Sequence, residues 1–180
     1  ITTAAIFVGG YTPDVVSLVE EYDGSSWTEV TNMPTAGQGS SMSGTQTAAL
    51  HFGGTPPVPV VGVHCDSYDG TRWTEQASLS TARNWLGGTP SGTSATAMGY
   101  GGGDGTTEAE TEEWNWTTTL VAGAWAAGDD LNLARKFLEG AGTSTATVVM
   151  GGASSSTASV GETEEYDGSS WTEIANLGTA

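Results

Sequence analysis

Three residues carry the side chains best suited to chemistry: His51, His64 and Cys65. Imidazole and thiolate together bind transition metals or serve redox and nucleophilic steps, but such centres converge several ligands. These are the only two histidines and the only cysteine in the chain. A disulfide scaffold is therefore impossible, and general bases are scarce. A second set repeats: Arg83 with Trp85 and Arg135 with Phe137, each an arginine with an aromatic two residues on. That pairing suits a sugar or a carboxylate; the other reading is that the arginines pair with carboxylates of the fold while the aromatics fill its centre. A third set is acidic: Glu20 and Glu21, residues 108–113 and residues 162–165. Calcium loops need six to eight oxygens at fixed offsets around a bend. These carboxylates alternate along strands instead, and solvated outer strands are expected. No GxSxG, HExxH or P-loop is present.

The chain that must position these groups has 180 residues, 21 acidic and 4 basic, with a net charge of −17. Four cations cannot build a phosphate-binding surface, which excludes nucleic acid as a partner. No apolar run is long enough to insert into a membrane as a helix. Gly, Ser and Thr make up about two residues in five, a composition that borders on disorder. Seven tryptophans and 37% hydrophobic residues argue for a folded chain instead.

An internal repeat decides the fold. The segments WTEVTNMPTAG from Trp27, WTEQASLSTAR from Trp73, WAAGDDLNLAR from Trp125 and WTEIANLGTA from Trp171 align without gaps. Their spacings of 46, 52 and 46 define units of about 48 residues, approximately 1–36, 37–82, 83–134 and 135–180. An aromatic precedes each tryptophan: Tyr22, Tyr68, Trp114 and Tyr166. A glycine pair precedes each aromatic: Gly9 and Gly10, Gly53 and Gly54, Gly101 and Gly102, Gly151 and Gly152. The third unit holds a six-residue insertion that includes Trp116. Asp-Gly turns, Thr and β-branched residues dominate, and a period of 40–50 residues with four strands per unit is the mark of a β-propeller blade. Residues 130–140 alone suggest a helical turn, which the repeat alignment overrides. Within this frame Cys65 takes the place of Val19, Thr111 and Thr163, so a buried structural role is expected for it and for the histidines. No cofactor and no metal are expected.

The Gly-Gly, Tyr and Trp pattern resembles the kelch repeat over essentially the whole chain. The wording EYDGSSWTE with NLGTA is also similar to kelch-like repeat proteins of marine phages and bacteria, viewed as virion appendages or surface proteins. The resemblance implies an all-β, kelch-type propeller whose Tyr and Trp pack between blades. It also implies that the loops joining the second and third strands share a recognition face with the junctions between blades. Those loops (11–17, 55–63, 103–109 and 153–161) vary most, and the expected binding residues are Arg83, Trp85, Arg135, Phe137, Tyr11 and Asp104. The run YDG(S/T)xW resembles the sialidase Asp box with altered spacing, but three scattered arginines do not make that family's arginine triad.

Innermost strands are expected near 40–43, 86–89 and 138–141. The first unit has none, so the chain is expected to form part of a larger or two-chain ring, with further copies of itself as partners. The resulting expectation is a non-enzymatic structural or recognition module of a virion or cell surface, attaching to a host surface or glycan. The alternatives are a fragment of a kelch-type carbohydrate-active enzyme or oxidase, and an intracellular kelch interaction domain.

Overall fold

The computed structural model describes residues 4–57, 61–116, 123–155 and 158–179. Fifteen short strands form four antiparallel meanders. Blade one is β1 (Ala5–Val8), β2 (Val19–Tyr22) and β3 (Trp27–Glu29). Blade two is β4 (Ser41–Thr45), β5 (Ala48–Phe52), β6 (Cys65–Tyr68) and β7 (Trp73–Glu75). Blade three is β8 (Gly87–Gly88), β9 (Thr96–Tyr100), β10 (Thr111–Asn115) and β11 (Ala124–Ala127). Blade four is β12 (Glu139–Thr143), β13 (Ala146–Met150), β14 (Thr163–Tyr166) and β15 (Trp171–Glu173). The described residues contain no helix, and 130–140 run through loop into β12. The inner strands β4, β8 and β12 neighbour one another, while blade one has three strands among the described residues. Most of the insertion expected in the third unit (117–122) lies outside the described residues.

Each repeated residue has a local reason for its place. The aromatic and the tryptophan sit directly opposite across the outer hairpin: Tyr22 faces Trp27, Tyr68 faces Trp73, Trp114 faces Trp125 and Tyr166 faces Trp171. Their rings lie 4.7–5.6 Å apart, cross-strand aromatic contact that stabilises a sheet. The intervening turns are closed by aspartate. Oδ1 of Asp23 accepts the amides of Ser25 and Ser26, and Asp69 and Asp167 do the same in their own turns. The backbone donors hold the Asp23 and Asp69 carboxyls down at about 2.

The glycine pairs bind each blade to the segment that leaves it. Gly53 and Gly54 have φ of 70° and 93°, a region open to glycine without strain. The amide of Gly54 donates to the Arg83 carbonyl at 2.8 Å, and a side chain on Gly53 would meet that same oxygen at 2.8 Å. Gly10 to Gly37 and Gly102 to Arg135 repeat the bond.

The core lies between blades rather than within them. Leu50, Phe52, Cys65, Leu79, Leu86, Ala97 and Trp114 form one buried cluster between blades two and three. Met98, Tyr100, Leu131, Leu138, Val149, Tyr166 and Trp171 form the next, between blades three and four. Gln46, in the β4–β5 turn, ties blade two to blade one: its Nε2 donates to the carbonyls of Ala5 and Tyr22, both at 2.8 Å. Gln46→Ala leaves both carbonyls without this donor, and urea titration is expected to show a loss of about 1–2 kcal/mol.

Candidate functional site

The two arginines do not face a ligand. Arg83 and Arg135 are both fully buried, which corrects their expected place on a recognition face and agrees with the other reading, that they pair with carboxylates of the fold. Each leaves its own blade junction and enters the next blade. Nη1 of Arg83 donates to the carbonyls of Gly101 (3.2 Å) and Glu110 (2.6 Å), and Nη2 donates to Glu112 at 2.7 Å. Arg135 repeats this on Gly151 (3.0 Å), Glu162 (2.6 Å) and Glu164 (2.7 Å). The other oxygen of Glu112 accepts the Ser80 amide and hydroxyl, and that of Glu164 accepts the Asn132 amide and side chain. Glu112 and Glu164 are thus buried partners in a joint, not part of a solvated acidic coat. A charge in such a place tolerates burial only because it is paired and hydrogen-bonded.

Blade two departs from this pattern. Gly37 stands where the later junctions carry arginine, and Asp66 stands where blades three and four carry glutamate. The space is lined by His51, His64, Asp66 and Gly37 and has room for about one water. His51 is 3% exposed, packs edge-on to Trp73, and has no hydrogen-bond partner on either ring nitrogen among the described residues. Burial, then the charge of His64, holds its pKa down at about 4. Burial pushes the neighbouring Cys65 thiol up to about 12, the opposite of an activated nucleophile. Among the described residues, no three His, Cys, Asp or Glu side chains converge as a metal site.

The aromatics take a different course from their arginines. Trp85 and Phe137 have φ of 54° and 57°, and Gly39, at the same place in the first junction, has φ of 64°. For a non-glycine residue this left-handed conformation costs roughly 1–2 kcal/mol. It turns each ring away from the buried arginine and towards the centre of the blades. The amide of Trp85 donates to the Gly39 carbonyl (2.6 Å) and that of Phe137 to the Trp85 carbonyl (3.0 Å), so the three positions form a stair. The Trp85 ring lies over Gly39, where any side chain would strike it. The Trp85 and Phe137 rings are 5.1 Å apart and tilted by 47°. Trp85 is 38% and Phe137 53% exposed. Lys136 places its ammonium 5.3 Å from the centre of the Phe137 ring.

The stair forms one wall of an open cleft of about 410 Å³. Phe7 and Val8 of blade one, Gln38 and Ser40 at the start of blade two, and Glu139 of blade four complete it. Four blades therefore contribute to one site. Tyr11 and Asp104 are exposed on their loops but do not line it. Sequence reasoning missed Phe7, Gln38, Ser40 and Glu139. Only the glycine at 39, set against aromatics at 85 and 137, marked the place. The loops do share a side with the junctions, as Gln38 bridges Thr55, Asn84 bridges Gly103 and Lys136 bridges Ala153.

No family model matches the chain, and no curated protein matches it. The fold is similar to the solved structure of YjhT, with a TM-score of 0.71 at 12% sequence identity. The match covers 88% of this chain and 52% of that one, so the chain spans about half the length of this neighbour. Four-stranded antiparallel meanders in series, cores between successive blades and this likeness together identify the fold as a β-propeller.

Proposed function

We propose that this propeller is a non-enzymatic recognition module of the kelch type that its repeats resemble. In this reading it belongs to a virion appendage or cell-surface protein, and the central cleft takes the face of a neutral sugar. The observation that carries the reading is the exposed, left-handed pair of Trp85 and Phe137. Two aromatic rings held in a costly backbone conformation, at a place where glycine is cheaper, point to a use for the rings. Sugar C–H faces pack on aromatic rings, while Gln38, Ser40 and Glu139 offer donors and acceptors to hydroxyls. A carboxylate ligand is disfavoured, because both arginines are committed to Glu112 and Glu164 and the net charge is −17. Glu139 is the only titratable side chain lining the cleft among the described residues. Glycoside hydrolysis needs a pair of carboxyl groups, which supports binding without turnover.

Tryptophan fluorescence titrated with neutral oligosaccharides tests this. Saturable quenching is expected for the native chain. Trp85→Gly is expected to weaken binding by tenfold or more, a loss of the size that stacked aromatic contacts supply. Because glycine is at ease at this φ, the variant keeps the backbone. Equal affinity for the variant and the native chain defeats the reading.

A further inference from the structure

Four steps in the chain join aspartate to glycine, and each continues with a serine or a threonine: Asp23-Gly24-Ser25, Asp69-Gly70-Thr71, Asp104-Gly105-Thr106 and Asp167-Gly168-Ser169. Such a step is prone to attack by the glycine amide nitrogen on the aspartate side chain, because no Cβ on the glycine stands in the way. The local sequences are alike, so any difference between the four comes from the fold.

Three of the steps are clamped. Oδ1 of Asp23, Asp69 and Asp167 each accepts two amides of its own turn at 2.8–2.9 Å. The hydroxyls of Ser25 and Ser169 and the guanidinium of Arg72 add a further bond to these carboxyls. The amides of the same three aspartates donate to the carbonyls of Ser26, Arg72 and Ser170, which closes each hairpin. The donors of the turns hold all three carboxyls below the ordinary carboxylate range. The neutral acid form that an amide can attack is correspondingly scarce.

The fourth step is open. Asp104 and Gly105 are exposed in the loop between β9 and β10. Neither the Asp104 carboxyl nor the Gly105 amide has a hydrogen-bond partner among the described residues. Gly105 has φ of 137°, and a side chain there would meet nothing within 4 Å. The loop is held on both sides of this tip. Gly103 exchanges two backbone bonds with Asn84 at 2.9 and 3.0 Å, and the Glu108 amide donates to the Gly102 carbonyl at 2.8 Å.

We propose that Asp104 is a modification site, at which the chain converts its own backbone from an α- to a β-aspartyl linkage through a cyclic imide. The Gly105 nitrogen attacks Cγ of the protonated Asp104 carboxyl. The new N–C bond closes a five-membered ring, and the carboxyl hydroxyl leaves as water with the amide proton. Water then adds to either ring carbonyl. Cleavage of the ring nitrogen from the backbone carbonyl leaves Gly105 joined through Cγ, with a free carboxylate on Cα. Cleavage from Cγ restores aspartate. The net change is an isomerisation: mass and charge are conserved, and one methylene moves from the side chain into the main chain. The loop tip takes up that extra atom without breaking a backbone bond, because Gly103 and Glu108 are anchored outside it. Asp104 does not line the central cleft, so the proposal is independent of the sugar reading.

Incubation of the folded chain at neutral pH over days, followed by isoaspartyl methyltransferase labelling and peptide mass mapping, tests the proposal. The β-linkage is expected to accumulate at Asp104 at least about tenfold faster than at Asp23, Asp69 or Asp167, the rate equivalent of one hydrogen bond to a charged group. In urea the four rates are expected to converge, since the clamps are lost while the local sequences stay. Asp104→Glu, whose longer side chain closes an imide ring less readily, is expected to remove the signal in the folded chain. Asp104 is exposed, so circular dichroism is expected to stay unchanged in that variant. Equal rates at the four steps of the folded chain overturn the proposal. So does an excess at Asp104 that persists in urea, or a signal that survives Asp104→Glu.

Discussion

Arg135→Ala is expected to lower the free energy of unfolding by about 3–5 kcal/mol, the cost of leaving one charge of a buried pair without its partner. Glu164, 1% exposed, would keep only the Asn132 donors, the Gly151 carbonyl would lose the Arg135 donor, and the Glu162 carbonyl would keep only the Gly151 amide. For a chain of this size such a loss lowers the melting temperature by roughly 10 °C. The paired replacement Arg135→Met with Glu164→Leu is expected to recover part of it, since it leaves no buried charge unpaired, although the Gly151 carbonyl and the Asn132 amide still lack their partners. Guanidinium titration of the three variants decides the matter. A loss under about 1 kcal/mol for Arg135→Ala, the size of an exposed ion pair, would show that the arginine is not clasped between blades.

Acid is expected to weaken the protein through blade two. His51 has a folded pKa of about 4 against an ordinary 6.5, so the unfolded chain takes up the proton first. The stability tied to neutral His51 is fully present above pH 6.5 and lost as the pH falls towards 4. The loss is on the order of 3 kcal/mol. His64 and Asp66 face the same space. Burial holds the Asp66 carboxyl above its ordinary value, so its protonation on folding has the opposite sign and offsets part of the loss. His51→Val, which copies Val149 of blade four, is expected to remove most of the acid slope between pH 6.5 and 4. An unchanged slope in that variant would place the titration elsewhere.

The blade architecture was legible because its signals are local. Tyr and Trp five residues apart across an Asp-Gly turn can only meet face to face on a hairpin, and they do so at Tyr68 and Trp73. The inner strands expected near 40–43 and 138–141 start one residue later, at Ser41 and Glu139. Near 86–89 only Gly87 and Gly88 pair. That the arginines pair with carboxylates of the fold was one of the two readings of the sequence and is what the structure has; which carboxylates they meet was not legible. Arg83 meets Glu112 at a separation of 29 residues, beyond the reach of any local pattern, and Arg135 meets Glu164 at the same separation. In sequence, Arg83 and Trp85 look like one motif. A single left-handed residue sends the guanidinium into the next blade and the indole to the centre. The cleft was hidden for a related reason: Phe7, Gln38, Trp85 and Glu139 meet only because four blades curve around one point.

In the proposed reading, recognition occurs at the aromatic stair rather than on the outer loops. Backbone and indole chemical shifts recorded by nuclear magnetic resonance during titration with a neutral oligosaccharide distinguish the two places. The expected perturbations centre on Phe7, Gln38, Gly39, Trp85 and Phe137, with Tyr11 and Asp104 unmoved. Perturbations confined to Tyr11, Asp104 and the loops around them, with the Trp85 indole unshifted, would contradict it.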